Sequence, residues 1–286
     1  MLDLLKTTFS EWQEDKVPVL AAALAYYTIF SLAPLLIIVI AVLGIYFGQG
    51  QAETELVGQL QNLFGQNVAE TLQTMIESRA QSGGNVLASV VGVIILLVGA
   101  TGVFTQLQSA LNQIWGVEPD PKSGIWNLIR VRLLSLGMIL VIGFLLLVSL
   151  VLSAVLSAFG GMLSAALPGG DLLWQALNFV ISLGVITLLF AMIFKYLPDA
   201  EIRWSDLWVG AGVTALLFVV GKSLIGLYLG SSGVSSSYGA AGSLVVLLLW
   251  VFYSAQIVLF GGEFTQVYAK RRGAEIVPDE HAVEQA

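Results

Sequence analysis

Residues Ala21 to Leu36 read AAALAYYTIFSLAPLL, inside an apolar run that extends from about Val19 to Phe47. A helix needs roughly 20 apolar residues to cross the hydrocarbon of a bilayer, so this run is long enough to span it. Ala21, Ala22, Ala23 and Ala25 let a neighbouring helix come close. Tyr26 and Tyr27 carry phenol hydroxyls that need partners once they leave water. Pro34 stands near the middle of the run, where its ring displaces the carbonyl of Phe30 and removes one backbone donor. A kink or opening is therefore expected at Pro34, acting as a hinge. The freed carbonyls must be met by protein groups or water, with Ser31 one local candidate. A proline tolerated inside a packed bundle is the plainer reading of the same residues.

Working outward, the composition is that of a membrane protein. Of 286 residues, 57% are apolar and 11% charged, with a mean hydropathy of +0.88. A soluble domain carries about 25% charged residues. The chain has no cysteine, which excludes disulfides, thiol catalysis, iron–sulfur clusters and thiolate zinc sites. Its single histidine, His281, lies in a polar tail, which excludes imidazole metal clusters and Ser-His-Asp triads. No metal site and no cofactor are expected. The Ala-rich stretch precedes the long apolar run, so no cleavable leader is expected and the first span stays in the mature chain.

The periodicity predicts an all-α, polytopic membrane helix bundle, a single membrane domain over residues 1–272. Six transmembrane helices are expected at about 19–47, 86–114, 125–158, 173–194, 207–229 and 238–262. Residues 1–17 read as an amphipathic helix with Leu2, Leu5, Phe9 and Trp12 on one face, lying in the membrane interface or docked on the bundle. Residues 48–85 form a polar outer loop. Within it Leu56, Leu60, Leu63 and Phe64, then Val68, Leu72, Met75 and Ile76, predict two short amphipathic helices broken near Gly65. Glu118-Pro119-Asp120-Pro121 and Tyr196-Leu197-Pro198-Asp199 are helix breakers. The third span carries small residues at every fourth position (Ser149, Ser153, Ser157, Gly161, Ala165), a stripe for packing within the chain or for a homo-oligomer. Trp115, Trp126, Trp174, Trp204 and Trp208 fall near span ends and read as interface anchors. Residues 273–286 form an acidic tail that is expected to be disordered.

Six spans put both termini on one side. Ten of the twelve Lys and Arg residues fall on that side, with Arg79 on the other and Lys222 inside a span. The positive-inside bias makes both termini cytoplasmic.

Lys222 is the one charge well inside an apolar span, and intramembrane ionisable groups are functional candidates by default. It faces an anionic group in an outward cavity, or it snorkels towards the Gly/Ser turn after span 5. A second polar set occupies the inner half. Thr101, Thr105, Gln108 and Asn112 share one helix face, as do Tyr253, Gln256 and Glu263, and Tyr26 and Tyr27 lie at comparable depth. Polar faces on three helices at one depth suggest a hydrated cavity open to the cytoplasm and binding substrate. Interhelical hydrogen bonds that only fix packing, each contributing about 0.6 kcal/mol, explain the same residues.

AAALAYYTIFSLAPLL resembles the signature of the YihY/BrkB family of bacterial inner-membrane proteins, some of which carry the older label "ribonuclease BN". GVFTQLQSALNQIW (Gly102 to Trp115), YLPDAEIRWSDLWVGA (Tyr196 to Ala211) and SSYGAAGSLVVLLLWVFYSAQIVLFGGEFT (Ser236 to Thr265) are similar to the family in the same order. The resemblance implies a multi-pass helical protein of the bacterial plasma membrane and supplies no catalytic residues. Three functions follow for weighing. The first is a transporter or lipid-handling protein for an anionic or amphiphilic substrate, with the lipid bilayer as partner. The second is a scaffold without a transport cycle. The third, a ribonuclease, is disfavoured. The cytoplasmic segments carry fourteen acidic against ten basic residues, whereas nucleic acid needs a basic surface. No enzyme activity and no nucleic-acid partner are expected.

Overall fold

The computed structural model describes residues 2–64, 86–121, 170–231, 241–274 and 276–285, together with positions 70, 73–74, 130, 133–138, 140–141 and 238. In chain order the elements are α1 (Leu2–Glu14), α2 (Val17–Phe47), α3 (Gln49–Phe64), α4 (Val86–Trp115), β1 (Val117–Pro119), α5 (Gly170–Tyr196), β2 (Ala200–Glu201), α6 (Trp204–Ser231), α7 (Gly242–Arg271), β3 (Val277–Pro278) and β4 (Ala282–Glu284). Among the described residues the architecture is helical, with four very short strands. Among the described residues three helices are long and apolar enough to cross a membrane, within α5, α6 and α7, and α2 makes a fourth if its bent halves form one span. In an 18-residue apolar stretch of each of those three helices only 17–28% of the residues are buried, so many apolar side chains there are at least partly exposed. Such a surface is an aggregation hazard in water and a normal contact in lipid.

Helix α2 bends by 51° between Val17–Leu32 and Pro34–Ile45, as the missing donor at Pro34 requires. The bend is packed against α4. Cβ atoms added at Gly99 and Gly102 would stand 3.0 Å from Pro34 Cγ and Ser31 Oγ. Ser31 is buried, and its hydroxyl accepts a hydrogen bond from the Val103 backbone N–H at 3.2 Å. Gly48 closes α2 at φ +83°, a left-handed value that suits glycine, and α3 folds back with Ala52 and Leu56 buried. The first helix of the polar loop is therefore docked on α2. The second expected helix of that loop and most of the span expected at 125–158, with its small-residue stripe, lie outside the described residues.

Helices α6 and α7 cross at a reciprocal pair of close contacts. A Cβ at Gly210 would fall 1.8 Å from Thr265 Oγ1, and one at Gly261 would fall 1.9 Å from Thr214 Oγ1. Each threonine hydroxyl donates to the carbonyl four residues back in its own helix, Thr214 to Gly210 and Thr265 to Gly261, both at 2.7 Å. Their polar atoms are thus satisfied inside the interface, as burial demands.

Both termini lie at one end of the bundle. Helix α1 buries Leu4 against Phe264 and Val267 of α7, while Leu2, Leu5 and Phe9 stay exposed, with Phe9 stacked on Trp12. The helix therefore docks with one face and presents an apolar face outward. The acidic tail, expected to be disordered, is folded instead: β4 pairs antiparallel with β1, and β3 with β2. Backbone pairing with two distant loops supplies the order that its composition alone does not.

Candidate functional site

Helix α4, β1, the turn after α5 and the tail line an open cavity of about 240 Å³, with Thr105, Gln108, Asn112, Glu118, Asp199 and Gln285 in its wall, among others. Its floor is the buried carboxylate of Asp199, which follows the Tyr196-Leu197-Pro198 break at the end of α5. Gln108 Nε2 donates to Asp199 Oδ2 at 3.0 Å and Asn112 Nδ2 donates to the same oxygen at 2.8 Å. The Asp199 N–H in turn donates to Asn112 Oδ1 at 2.9 Å, so Asn112 clamps the aspartate from two sides. Gln108 and Asn112 are four residues apart on α4, one turn of the same face, which is what places both amides on one carboxylate.

Arg130 bridges this floor to the tail. Its Nη1 stands 3.3 Å from Asp199 Oδ1, and its Nη2 donates to Asp279 Oδ2. Asp279 also accepts from the His281 N–H, and its own N–H donates to the Asp199 carbonyl at 3.0 Å. Burial pushes the Asp199 carboxyl above the usual range for an aspartate. Asp279 adds to that push, while Asn112, Arg130 and Gln108 oppose it. The cavity thus offers amide groups and carboxylates, and its nearby cation, Arg130, is already shared by two acids.

Of the residues singled out from sequence, Thr105, Gln108 and Asn112 meet at this cavity. The others stand elsewhere. Thr101 is buried, one turn deeper on α4. Tyr253 packs over Gly221 of α6, where an added Cβ would meet its ring at 3.0 Å, and Gln256 is half-buried on α7. Glu263 is fully buried opposite Asp15, in the turn between α1 and α2. Tyr26 and Tyr27 are 60% and 44% exposed and pack on each other, Tyr26 also on Phe30. Lys222 is exposed on α6 and makes no ion pair among the described residues. The three polar faces therefore do not line one cavity. Trp115, expected at an interface, is buried, and its Nε1 donates to the Gly262 carbonyl at 3.2 Å. Trp204 and Trp208 are exposed at the start of α6.

Asp199, Arg130 and Asp279 escaped the sequence reading. The first sits in a breaker motif that reads as a turn, and the other two are distant in sequence. The available signal was an amide pair one turn apart on α4, which needed an acceptor.

The family model described as "Virulence factor BrkB" matches residues 8–286. A "UPF0761 membrane protein" of Verminephrobacter eiseniae is 30% identical over 263 residues, covering 91% of this chain and 60% of that protein. Another, from Pseudomonas aeruginosa, is 30% identical over 252 residues, covering 86% of this chain and 58% of that one. A third, from Tolumonas auensis, is 30% identical over 270 residues, covering 88% and 80%. The chain spans about three-fifths of the length of the first two. No solved structure matches it.

Proposed function

The chain is a membrane protein of the BrkB family, and from that premise we propose that it is a transporter or lipid-handling protein of the bacterial inner membrane. In this reading it has six spans, both termini are cytoplasmic, and the cavity opens inward. The observation that carries it is the cavity floored by buried Asp199 at the end of an otherwise apolar bundle. Burying a carboxylate is costly unless it is held by hydrogen bonds and charge, and two amides and an arginine are spent on this one. The kink in α2 supports a helix that can flex within the membrane.

The lining favours an amphiphile whose head group carries hydrogen-bond donors. A simple anion entering here would meet Asp199 and Glu118 and would have to compete for Arg130. Lys222 supports an anionic head group only at the lipid-exposed surface of α6. The outward apolar face of α1 supports contact with the membrane interface. Carriage is favoured over catalysis because the chain lacks cysteine and has one histidine.

The scaffold reading is supported by a different observation. Beyond the cavity Leu111, Ile114, Phe194 and Leu259 are fully buried, so this conformation is packed shut. Single cysteines separate the two, since the chain has none of its own. Thr105→Cys should react with charged thiol reagents from the cytoplasm, and Lys222→Cys from outside. Protection of Thr105→Cys in every condition would make the cavity a packing defect and favour the scaffold.

A further inference from the structure

A second polar site lies at the same end of the bundle, between α7 and the α1–α2 turn. Glu263 on α7 is fully buried, and neither carboxylate oxygen has a hydrogen-bond partner among the described residues. One turn further along α7, Gln266 is also buried. Its Nε2 donates to the Ile114 carbonyl at 2.6 Å, yet its Oε1 has no partner among the described residues. The neighbourhood therefore holds three such buried oxygen acceptors.

What faces Glu263 is another acid. Asp15 presents its carboxyl to that of Glu263, and its backbone carbonyl is held by Gln113 Nε2 of α4 at 3.1 Å. Lys16, next in the chain, has a left-handed backbone at φ 53°, which helps turn Asp15 into the bundle. The charges around the pair do not neutralise it. Glu11 and Glu14 of α1 add negative charge, Lys270 of α7 opposes them, and α4 offers only uncharged Gln113 and Trp115.

Two facing carboxylates, both ionised and one without solvent, repel strongly and leave acceptors unsatisfied. A proton placed between them converts one into a donor and makes the hydrogen bond that the geometry otherwise lacks. We propose that Glu263 and Asp15 form a proton-binding site that holds one proton between the two carboxyls at neutral pH. Half-buried Asp15 is the solvent-side member and Glu263 the deep one, so a proton enters through Asp15 and rests on the pair. Burial pushes the Asp15 carboxyl up, the direction a shared proton needs. Glu263 and Gly261 lie on the same turn of α7, so loading the site bears on the α6–α7 crossing. Taken with the transport reading, on which this clause rests, it is where a coupling proton is loaded.

Infrared difference spectroscopy on the purified full chain in lipid nanodiscs tests this without any transport assay, so its failure is separable from failure of the transport reading. The wild type should show the carbonyl band of one protonated carboxylic acid at neutral pH. Glu263→Gln should lose that band, and Asp15→Asn should keep it at a shifted frequency because the bonding partner has changed. Absence of the band in the wild type, or a band untouched by either substitution, overturns the proposal. Loss of the band on adding sodium at fixed pH also overturns it, in favour of a metal cation. If Glu263→Gln does not fold, the shift in Asp15→Asn decides alone.

Discussion

Asp15 and Asp199 bind protons more tightly in the folded chain than an ordinary aspartate, because burial outweighs the partners that favour their ionised forms. The sign of the consequence follows from linkage. A carboxyl with a raised folded-state value stabilises the fold while protonated. That contribution is complete below the unfolded value near 3.8 and is lost as pH rises through the raised one. Lowering the pH towards the unfolded value should therefore raise the melting temperature of the detergent-solubilised protein, and Asp199→Asn should flatten the response. A melting temperature that falls steadily over the same range would mean that the Arg130 ion pair outweighs burial. Lys222 was conspicuous in the sequence because a charge in an apolar run stands out locally. Asp199 was not, because its meaning depends on amides 87 and 91 positions away in the chain. Glu263 drew notice, but its partner in the N-terminal turn is a long-range fact that no periodicity carries.

Helices were the legible part of the chain. Apolar runs and breakers located α2, α4, α5 and α6 to within a few residues, and Pro34 announced the bend in α2. Helix α7 runs on to Arg271, well past the expected end of its span. How the helices pack was less legible, since the Gly210/Thr214 and Gly261/Thr265 pairs lie in unrelated stretches and mean something only when α6 meets α7. This crossing makes a sharp prediction. Gly261→Ala forces a methyl into Thr214, whose hydroxyl is tied to Gly210, so the helices must separate or the bond must break. Overpacking of this kind costs about 1–3 kcal/mol. Thr214→Ala should recover part of that loss in the double variant, as coupled neighbours do. Gly212→Ala on α6 meets nothing within 4 Å among the described residues and should be neutral or slightly stabilising. Denaturant unfolding in detergent micelles would rank the four. A loss at Gly212 equal to that at Gly261 would show that the contact with Thr214 does not set the cost.

At the scale of the whole molecule, the tail joins the two ends of the site. Composition alone reads residues 273–286 as disordered, because an acidic segment of that length cannot bury a core of its own. It is ordered here by borrowed partners: β1, β2 and the Arg130 guanidinium that also holds Asp199. Gln285 reaches the cavity wall, and its N–H donates to the Gly116 carbonyl at 2.9 Å, where Gly116 turns at φ +67°. The tail is thus a strap across the cavity mouth, fastened by short strands and one partly exposed ion pair. Such a pair contributes about 1 kcal/mol at most. Asp279→Ala should therefore open the strap without unfolding the bundle. Thr105→Cys labelling from the tail side should run roughly fivefold faster in that background, the ratio that 1 kcal/mol supports. Removing residues 277–286 should give a larger increase, because both strand pairings go with the ion pair. The melting temperature should barely move in Asp279→Ala, since Arg130 keeps Asp199. Unchanged labelling in both variants would mean that the strap does not limit access, and that entry to the cavity is set by α4 and the α5–α6 turn instead.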